Sequence, residues 1–221
     1  MNKPGKLPVV ILISGGGTNL QALIDAAAHD LPIEIKAVIS NAPGVYGLTR
    51  AAEAGIATEV LDHTQFSSRE AFDQKLAQVI DNFGAELVLL AGFMRILTPE
   101  FVRHYLGRML NIHPSLLPRY QGLHTHQRTI EAGDTEHGAS VHFVTEELDG
   151  GPVIIQARVP MLASDTEDVL AARVLEKEHI IYPLVARWFA EGRLQLENDW
   201  VILNGQSLEK PIYLEQLEGL A

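Results

Sequence analysis

The clearest indication of the fold is the run Leu7-Pro8-Val9-Val10-Ile11-Leu12-Ile13-Ser14-Gly15-Gly16-Gly17-Thr18-Asn19-Leu20. Residues 7–13 are apolar and rich in Val and Ile, which is typical of a strand buried on both faces. Three consecutive glycines then predict a tight turn, and either Thr18 or Asn19 is expected to cap a helix over residues 20–28. A buried strand that enters a helix through a glycine turn is the first step of an open α/β sheet.

The same alternation continues to residue 113 and predicts a Rossmann-like, doubly wound, mostly parallel sheet. Its further elements are predicted as strands 33–40, 57–61, 86–91 and 108–112 and helices 47–54, 67–82 and 98–105. Residues 139–145 and 153–159 then alternate as two antiparallel C-terminal strands, and residues 165–191 form one long helix. Residues 195–206 are predicted to form a hairpin that turns at Asn204-Gly205. We expect a single α/β domain over residues 1–221, with halves 1–113 and 114–206 and a tail 207–221.

The composition excludes several kinds of function. The chain of 221 residues has no cysteine, which rules out disulfides and thiolate catalysis and fits a reducing, cytoplasmic location. Its net charge of −11 argues against binding a long nucleic acid, which requires clustered Lys and Arg, but leaves a small anionic substrate open. The short polar start and the lack of a long apolar run predict no signal peptide and no membrane contact.

A candidate catalytic pair lies in Asn111-Ile112-His113-Pro114-Ser115-Leu116-Leu117-Pro118. Residues i and i+2 of a strand point to the same face, so Asn111 and His113 should aim at one point, and Pro114 should end the strand. An amide that polarises a carbonyl beside a proton carrier suits acyl-transfer chemistry. Taken alone, the pair could equally satisfy backbone groups at the strand end.

The glycine turn, residues 14–20, favours a phosphate site. A turn that opens into a helix presents backbone N–H groups at the positive end of the helix dipole. Leu20 stands where a dinucleotide fingerprint has its third glycine, and no Lys follows as in a Walker loop. A single phosphate monoester therefore fits better than a pyrophosphate, and an ordinary βα turn is the alternative.

The segment Ala91-Gly92-Phe93-Met94-Arg95-Ile96-Leu97 follows the fourth predicted strand, at the edge where open α/β sheets bind ligands. Its apolar side chains suit the wall of a slot for a flat heterocycle, with backbone groups bonding the edge of the ring. The alternative, that these residues belong to the core, is the stronger one on this segment alone.

Asp149 and several histidines complete the set of candidates. In Asp149-Gly150-Gly151-Pro152 the glycines allow a close backbone approach to a ligand, and an Asp near His113 would hold the imidazole protonated or relay a proton. A plain turn residue is the alternative. His142 could orient the Asp or the His of this site or be a structural histidine, and His124-Thr125-His126 lacks the carboxylate of a metal signature, so no metal is expected. Because no Gly-x-Ser-x-Gly elbow or Cys is present, direct attack without a covalent enzyme intermediate is expected.

Together these motifs resemble the folate-dependent formyltransferases. The Asn111 to Pro118 run, Gly122 and the Asp149 loop are shared across that family. The glycine turn, residues 91–97 and Glu178-His179-Ile180-Ile181-Tyr182-Pro183 are similar to the members that formylate 5'-phosphoribosylglycinamide in purine synthesis. The resemblance runs over residues 9–193 and implies 10-formyltetrahydrofolate as the co-substrate, in a monomer or homodimer that acts on small molecules.

The resemblance also implies residue roles. It assigns catalysis to Asn111, His113 and Asp149. The residues implied to bind the ribonucleotide are Gly17, Thr18, Asn19 and Glu178. Those implied to bind the folate are Arg69, Met94, Arg95, Ile96, Leu97 and Asn111. Leu175 departs from relatives that have a polar residue near the ribonucleotide, which puts one substrate contact in question.

Three rival functions remain open. Methionyl-tRNA formyltransferase shares the catalytic residues but carries a further basic domain, for which we expect this acidic chain to be too short. Formyltetrahydrofolate deformylase shares them too, but its relatives carry an extra N-terminal domain, whereas the first strand here begins near Leu7. A nucleotide-binding sensor would explain the glycine turn but not the set of Asn, His and Asp.

Overall fold

In the computed structural model, which describes residues 5–218, the predicted first strand is present as β1 (Leu7–Ile13). Residues 9–13 of this strand have no exposed surface, because a parallel neighbour lies on each side. The next elements in order are α1 (Thr18–His29), β2 (Ile33–Ser40), α2 (Tyr46–Glu53), β3 (Thr58–Val60), α3 (Arg69–Asn82), β4 (Leu87–Leu90), α4 (Pro99–His104) and β5 (Met109–His113).

The chain divides into two compact units between Leu110 and Asn111, within β5. This point is close to the boundary predicted after residue 113, while the assignment of both halves to one domain stays a prediction. In the first unit, β4, β1, β2 and β3 pair in that order and all run parallel. Parallel strands place their carboxyl ends at one edge, so the residues that follow β1, β2 and β4 lie side by side there.

The second unit carries the antiparallel strands. After β5 it contains α5 (Thr125–Ala132), β6 (Glu136–Phe143), β7 (Val153–Pro160), α6 (Glu167–Ala190), β8 (Leu194–Glu197), β9 (Trp200–Leu203), β10 (Gln206–Ser207), β11 (Ile212–Tyr213) and α7 (Leu214–Glu218). β6 and β7 pair antiparallel as predicted, and β11 adds to β7 in parallel. β8, β9 and β10 form a separate antiparallel sheet. The predicted α/β class, with parallel strands first and antiparallel strands later, is confirmed.

Several local predictions are wrong. Helix α5 was not predicted, because its sequence Thr-His-Gln-Arg-Thr-Ile-Glu-Ala has too few apolar residues to show a helical period. Helix α6 begins two residues later than predicted, because Thr166 is its N-cap: the Thr166 hydroxyl accepts the Val169 N–H at 3.4 Å. The hairpin turn predicted at Asn204-Gly205 is confirmed and joins β9 to β10, but the turn at Asn198 and Asp199, which joins β8 to β9, was not predicted.

The predicted tail contains ordered structure as far as residue 218, since β11 pairs with β7 and α7 follows it. The last three residues of the predicted tail, and residues 1–4, lie outside the described part of the chain. Among the helices between residues 5 and 218, none is both long and apolar enough to cross a membrane.

Candidate active site

The glycine turn leaves β1 in a conformation that only glycine adopts easily. Gly17 is the N-cap of α1 with φ of 71°, so the prediction of Thr18 or Asn19 as the cap is wrong. A Cβ on Gly17 would lie 2.8 Å from the Gly47 Cα, because α2 packs directly against the turn. The backbone of Thr18 and Asn19 then begins α1, where the helix dipole favours an anion.

Helix α2 also fixes the turn by hydrogen bonds. The Gly47 N–H donates to the Gly15 carbonyl at 3.1 Å, and the Arg50 Nε–H donates to the Gly16 carbonyl at 2.8 Å. Two carbonyls of the turn are therefore directed toward α2. Sequence reasoning missed Arg50, which is 34 residues away from Gly16 and carries no motif of its own.

The 91–97 segment lies partly open at the same edge of the first unit. Met94 and Ile96 are 67% and 55% exposed, while Leu97 is half-buried. The alternative that Met94 and Ile96 are core residues is therefore wrong. Their exposed apolar surface at the carboxyl end of a parallel sheet is what a flat ligand would cover.

Two arginines flank this segment. Arg69 is exposed at the start of α3, and the Arg95 guanidinium lies 4.5 Å above the centre of the Phe72 ring. Between them in sequence, buried Asp73 accepts the Thr98 N–H at 2.6 Å, which ties the end of the segment to α3. Burial raises the pKa of Asp73, whereas the Thr98 hydrogen bonds and the Arg95 charge act in the opposite direction.

In the second unit, the three predicted catalytic residues come together around one carboxylate. Asn111 and His113 lie two residues apart on β5, and Asp149 lies in the loop between β6 and β7. Asp149 Oδ1 lies 3.5 Å from Asn111 Nδ2, and Asp149 Oδ2 lies 3.5 Å from His113 Nδ1. The side chains of His113 and Asp149 are 8% and 11% exposed, so the cluster is nearly enclosed but reachable.

The Asp149 loop holds its carboxylate in place through backbone geometry. Asp149 has φ of 50°, and its Oδ2 accepts the Gly122 N–H at 2.9 Å. Gln121 Nε2 donates to the Asp149 carbonyl at 3.3 Å. A Cβ on Gly151 would lie 1.8 Å from the Phe143 carbonyl oxygen, so this position requires glycine. The glycines were predicted to allow a close backbone approach to a ligand. Here Gly151 allows a close approach to the backbone of Phe143.

The ring nitrogens of His113 have different partners. Nε2 lies 2.9 Å from the Tyr120 carbonyl and so carries a hydrogen, while Nδ1 faces Asp149. The Tyr120 hydroxyl donates to Asp134 at 2.6 Å, and Arg119 pairs with the other oxygen of that carboxylate at 2.7 Å. Tyr120 was missed from the sequence because it acts through its backbone, which any residue could supply.

His142 determines how the Asn111 amide is oriented. Its Nδ1 lies 2.9 Å from the Phe143 carbonyl and must donate, and burial lowers the pKa of His142, which keeps the ring neutral. Nε2 is then an acceptor, so the atom of Asn111 that lies 3.1 Å from it must be the amide nitrogen. His142 therefore orients the Asn111 amide rather than Asp149 or His113, the residues that the sequence suggested; its Nε2 lies 3.8 Å from Asp149.

His126 and His137 form a neutral chain of hydrogen bonds with Thr129. The Thr129 hydroxyl donates to the Thr125 carbonyl at 2.8 Å, so it accepts from His137 Nδ1 at 3.1 Å. His137 Nε2 then accepts from His126 Nδ1 at 3.1 Å. Burial lowers the pKa of both rings, that of His137 to about 4. Among residues 5–218, no three His, Asp or Glu side chains are grouped to hold a metal ion.

The implied ribonucleotide residue of the second unit lies on α6. Glu178 is 6% exposed there, and Leu175, three residues earlier, is half-buried. A carboxylate this deeply placed would have to pair with a donor rather than with water.

Comparison with known proteins agrees with this geometry. Residues 7–186 match the family model described as formyl transferase. Phosphoribosylglycinamide formyltransferase of Escherichia coli is 57% identical over 90% of this chain and 95% of its own length, and that of Haemophilus influenzae is 47% identical over 94% and 99%.

A solved structure of phosphoribosylglycinamide formyltransferase from Coxiella burnetii superposes with a TM-score of 0.90 at 54% identity, over 94% of this chain and 98% of that one. This confirms the fold that the strands and helices indicate. The chain is therefore a member of the formyl transferase family and belongs among its phosphoribosylglycinamide formyltransferases.

Proposed function

We propose that this enzyme transfers the formyl group of 10-formyltetrahydrofolate to the amine of 5'-phosphoribosylglycinamide in purine biosynthesis, by direct attack of the amine. Formyl transfer to that acceptor is the reaction of the phosphoribosylglycinamide formyltransferases, among which the chain belongs, and the proposal adds the donor, the residues and the route. The observation that supports it most is the single Asp149 carboxylate, 3.5 Å from both Asn111 and His113.

The substrates are assigned by the chemistry of each part of the chain. The phosphate of the ribonucleotide binds at Gly17, Thr18 and Asn19, where α1 begins without a side-chain cap. Buried Glu178 faces the glycinamide end, whose amine is the group a carboxylate recognises.

The folate pterin covers the exposed side chains of Met94 and Ile96 and also contacts Leu97. The carboxylate tail of the folate binds the guanidinium groups of Arg69 and Arg95. Asn111 contacts the folate at its formyl group.

The reaction forms one C–N bond and breaks another. As the amine attacks the formyl carbon, negative charge builds on the formyl oxygen, and Asn111 Nδ2–H and protonated His113 stabilise it. Because His113 Nε2 is bonded to the Tyr120 carbonyl, only Nδ1 is left to donate, and its hydrogen is shared between the formyl oxygen and Asp149 Oδ2, which lies 3.5 Å from Nδ1. Donors of this kind lower a barrier by about 3–4 kcal/mol.

Proton transfer completes the step. Asp149 takes the proton released by the attacking amine, directly or through a water molecule. The bond between the formyl carbon and N10 of the folate then breaks, and His113 or a water protonates the leaving nitrogen. Asp149 Oδ2 remains held by the Gly122 N–H during this exchange, which keeps the base in one position. No metal and no covalent enzyme intermediate takes part.

Two further parts of the proposal rest on the sequence. Cytoplasmic localisation stays a prediction based on the absence of cysteine, and the monomeric or homodimeric state stays one as well.

The function is tested by incubating the purified protein with 10-formyltetrahydrofolate, with and without 5'-phosphoribosylglycinamide. We expect formyl transfer only when the ribonucleotide is present. Release of formate without it would identify a deformylase instead, and no turnover with either would favour a sensor.

A further inference from the structure

One side chain, that of Ser14, joins the glycine turn to the 91–97 segment. Ser14 follows β1 directly and is the first residue of the turn. Its Oγ accepts the Met94 N–H at 2.7 Å, and its backbone N–H donates to the Gly92 carbonyl at 3.1 Å. Two hydrogen bonds therefore attach the beginning of the 91–97 segment to a single residue of the turn.

The direction of the Ser14 hydroxyl is fixed by Asn41, which follows the end of β2. The hydroxyl hydrogen goes to Asn41 Oδ1 at 2.5 Å, which leaves the oxygen lone pairs to face Met94. Asn41 follows β2 and is 5% exposed. Its backbone carbonyl lies 2.8 Å from His63 Nδ1. The acceptor is thus itself held in place, so the position of Oγ is set by the ends of the adjacent strands β1, β2 and β4.

We propose that Ser14 is a positioning residue for the formyl donor, which fixes the 91–97 segment relative to the glycine turn. The inference rests on the proposed function, in which that segment binds the pterin. Met94 and Ile96 are more than half exposed and have little packing of their own to hold them. Without the hydroxyl, the Met94 N–H loses its acceptor and only the bond to Gly92 remains. The 91–97 segment is then free to shift, and a small shift of a bound reactant lowers the rate of a reaction between two substrates.

The test is steady-state kinetics of Ser14→Ala with both substrates. Because the variant loses this hydrogen bond and the position that the bond gives the 91–97 segment, the donor KM should rise by about five- to tenfold. The ribonucleotide KM should change by less than about twofold, because the bonds from Gly47 and Arg50 that hold the turn remain. Ser14→Thr, which keeps a hydroxyl, should return the donor KM toward the wild-type value.

Ser40→Ala is the matched control. Ser40 is fully buried at the end of β2, and its hydroxyl bonds only within its own turn, to the Ala42 carbonyl at 2.7 Å and N–H at 3.1 Å. This variant removes the same group at the same sheet edge without touching the 91–97 segment. Its melting temperature should fall at least as far as that of Ser14→Ala while its donor KM stays unchanged. Equal donor KM values for the two variants would overturn the proposal.

Two further variants keep the test decisive. Asn41→Ala leaves Ser14 in place but frees its hydroxyl to rotate, so it should also raise the donor KM, and it serves if Ser14→Ala does not fold. Ile96→Ala tests the placement of the pterin itself. If it raises the donor KM while Ser14→Ala does not, only the role of Ser14 is overturned. If Ile96→Ala has a wild-type donor KM, the pterin placement fails and the role of Ser14 fails with it.

Discussion

Asp149 Oδ2 lies 3.5 Å from His113 Nδ1, while a 2.9 Å hydrogen bond from the Gly122 N–H holds the same oxygen. The contact to the imidazole is too long for a strong hydrogen bond, whereas the contact to the backbone is a good one. The carboxylate is therefore positioned by the chain and remains available to the ring and to a substrate. Catalysis by Asp149 should accordingly depend on its charge more than on its contribution to folding.

Asp149→Asn tests this role directly. The amide has nearly the same shape but cannot accept the proton of the attacking amine, so kcat should fall by about 10²- to 10⁴-fold. The KM values should change much less, because the change affects the transition state. Steady-state assays with Glu147→Gln, which removes an exposed charge two residues away, provide the control. Near wild-type turnover of Asp149→Asn would exclude it as the base.

His142→Phe should weaken catalysis through Asn111. The phenyl ring fills the buried space but offers no acceptor to the Asn111 amide, which now donates at 3.1 Å. Loss of this orienting bond should lower kcat by about tenfold. His142→Gln, which retains an acceptor, should recover part of the loss. If the Phe variant turned over normally, Asn111 would not need His142 to be oriented.

Gly17→Ala should weaken ribonucleotide binding. A Cβ there would lie 2.8 Å from the Gly47 Cα, and the left-handed conformation adds about 1–2 kcal/mol of strain. We expect the ribonucleotide KM to rise by about tenfold or more, with a smaller effect on the folate KM.

Gly55→Ala is the control, since Gly55 has the same left-handed conformation, with φ of 72°, lies outside the turn, and an added Cβ there has nothing within 4 Å. It should leave both KM values close to the wild type. An effect of Gly17→Ala on the folate KM alone would show that the phosphate does not bind at this turn.

The elements that the sequence predicts well are those whose causes are local. β1 is an uninterrupted apolar run, and its predicted bounds agree with the structure. Asn111 and His113 could be paired because alternation along a strand is a local rule. By contrast, the cap at Gly17 depends on the close approach of Gly47, which lies in another helix. A propensity for Thr or Asn at the cap could not reveal that contact.

The rest of the candidate site is fixed by contacts between residues far apart in sequence. The Tyr120 carbonyl bonds His113, and the Gly122 N–H bonds Asp149, through backbone atoms that leave no signature in the residue types. The link from Ser14 to Met94 spans 80 positions. Such contacts require the fold to be known, whereas the proposal of Asn111, His113 and Asp149 as catalytic residues did not.

The buried histidines should make the protein sensitive to acid. Burial lowers the pKa of His137 from 6.5 to about 4, so above pH 6.5 the ring is neutral in both folded and unfolded chains. Between about pH 6.5 and 4 only the unfolded chain takes up the proton, so the free energy of unfolding falls as the pH falls. The difference amounts to about 3 kcal/mol at most, and His126 and His142, whose pKa values are also lowered, act in the same direction.

Urea unfolding of His137→Gln measured between pH 7.5 and 4.5 checks this expectation. The variant should lose less stability across that range than the wild type, because one of the groups that the unfolded chain protonates has been removed. His29→Gln, which changes an exposed histidine on α1, should follow the wild-type dependence. Parallel curves for the wild type and His137→Gln would mean that His137 takes up its proton over the same pH range in the folded and the unfolded chain, and that burial does not lower its pKa.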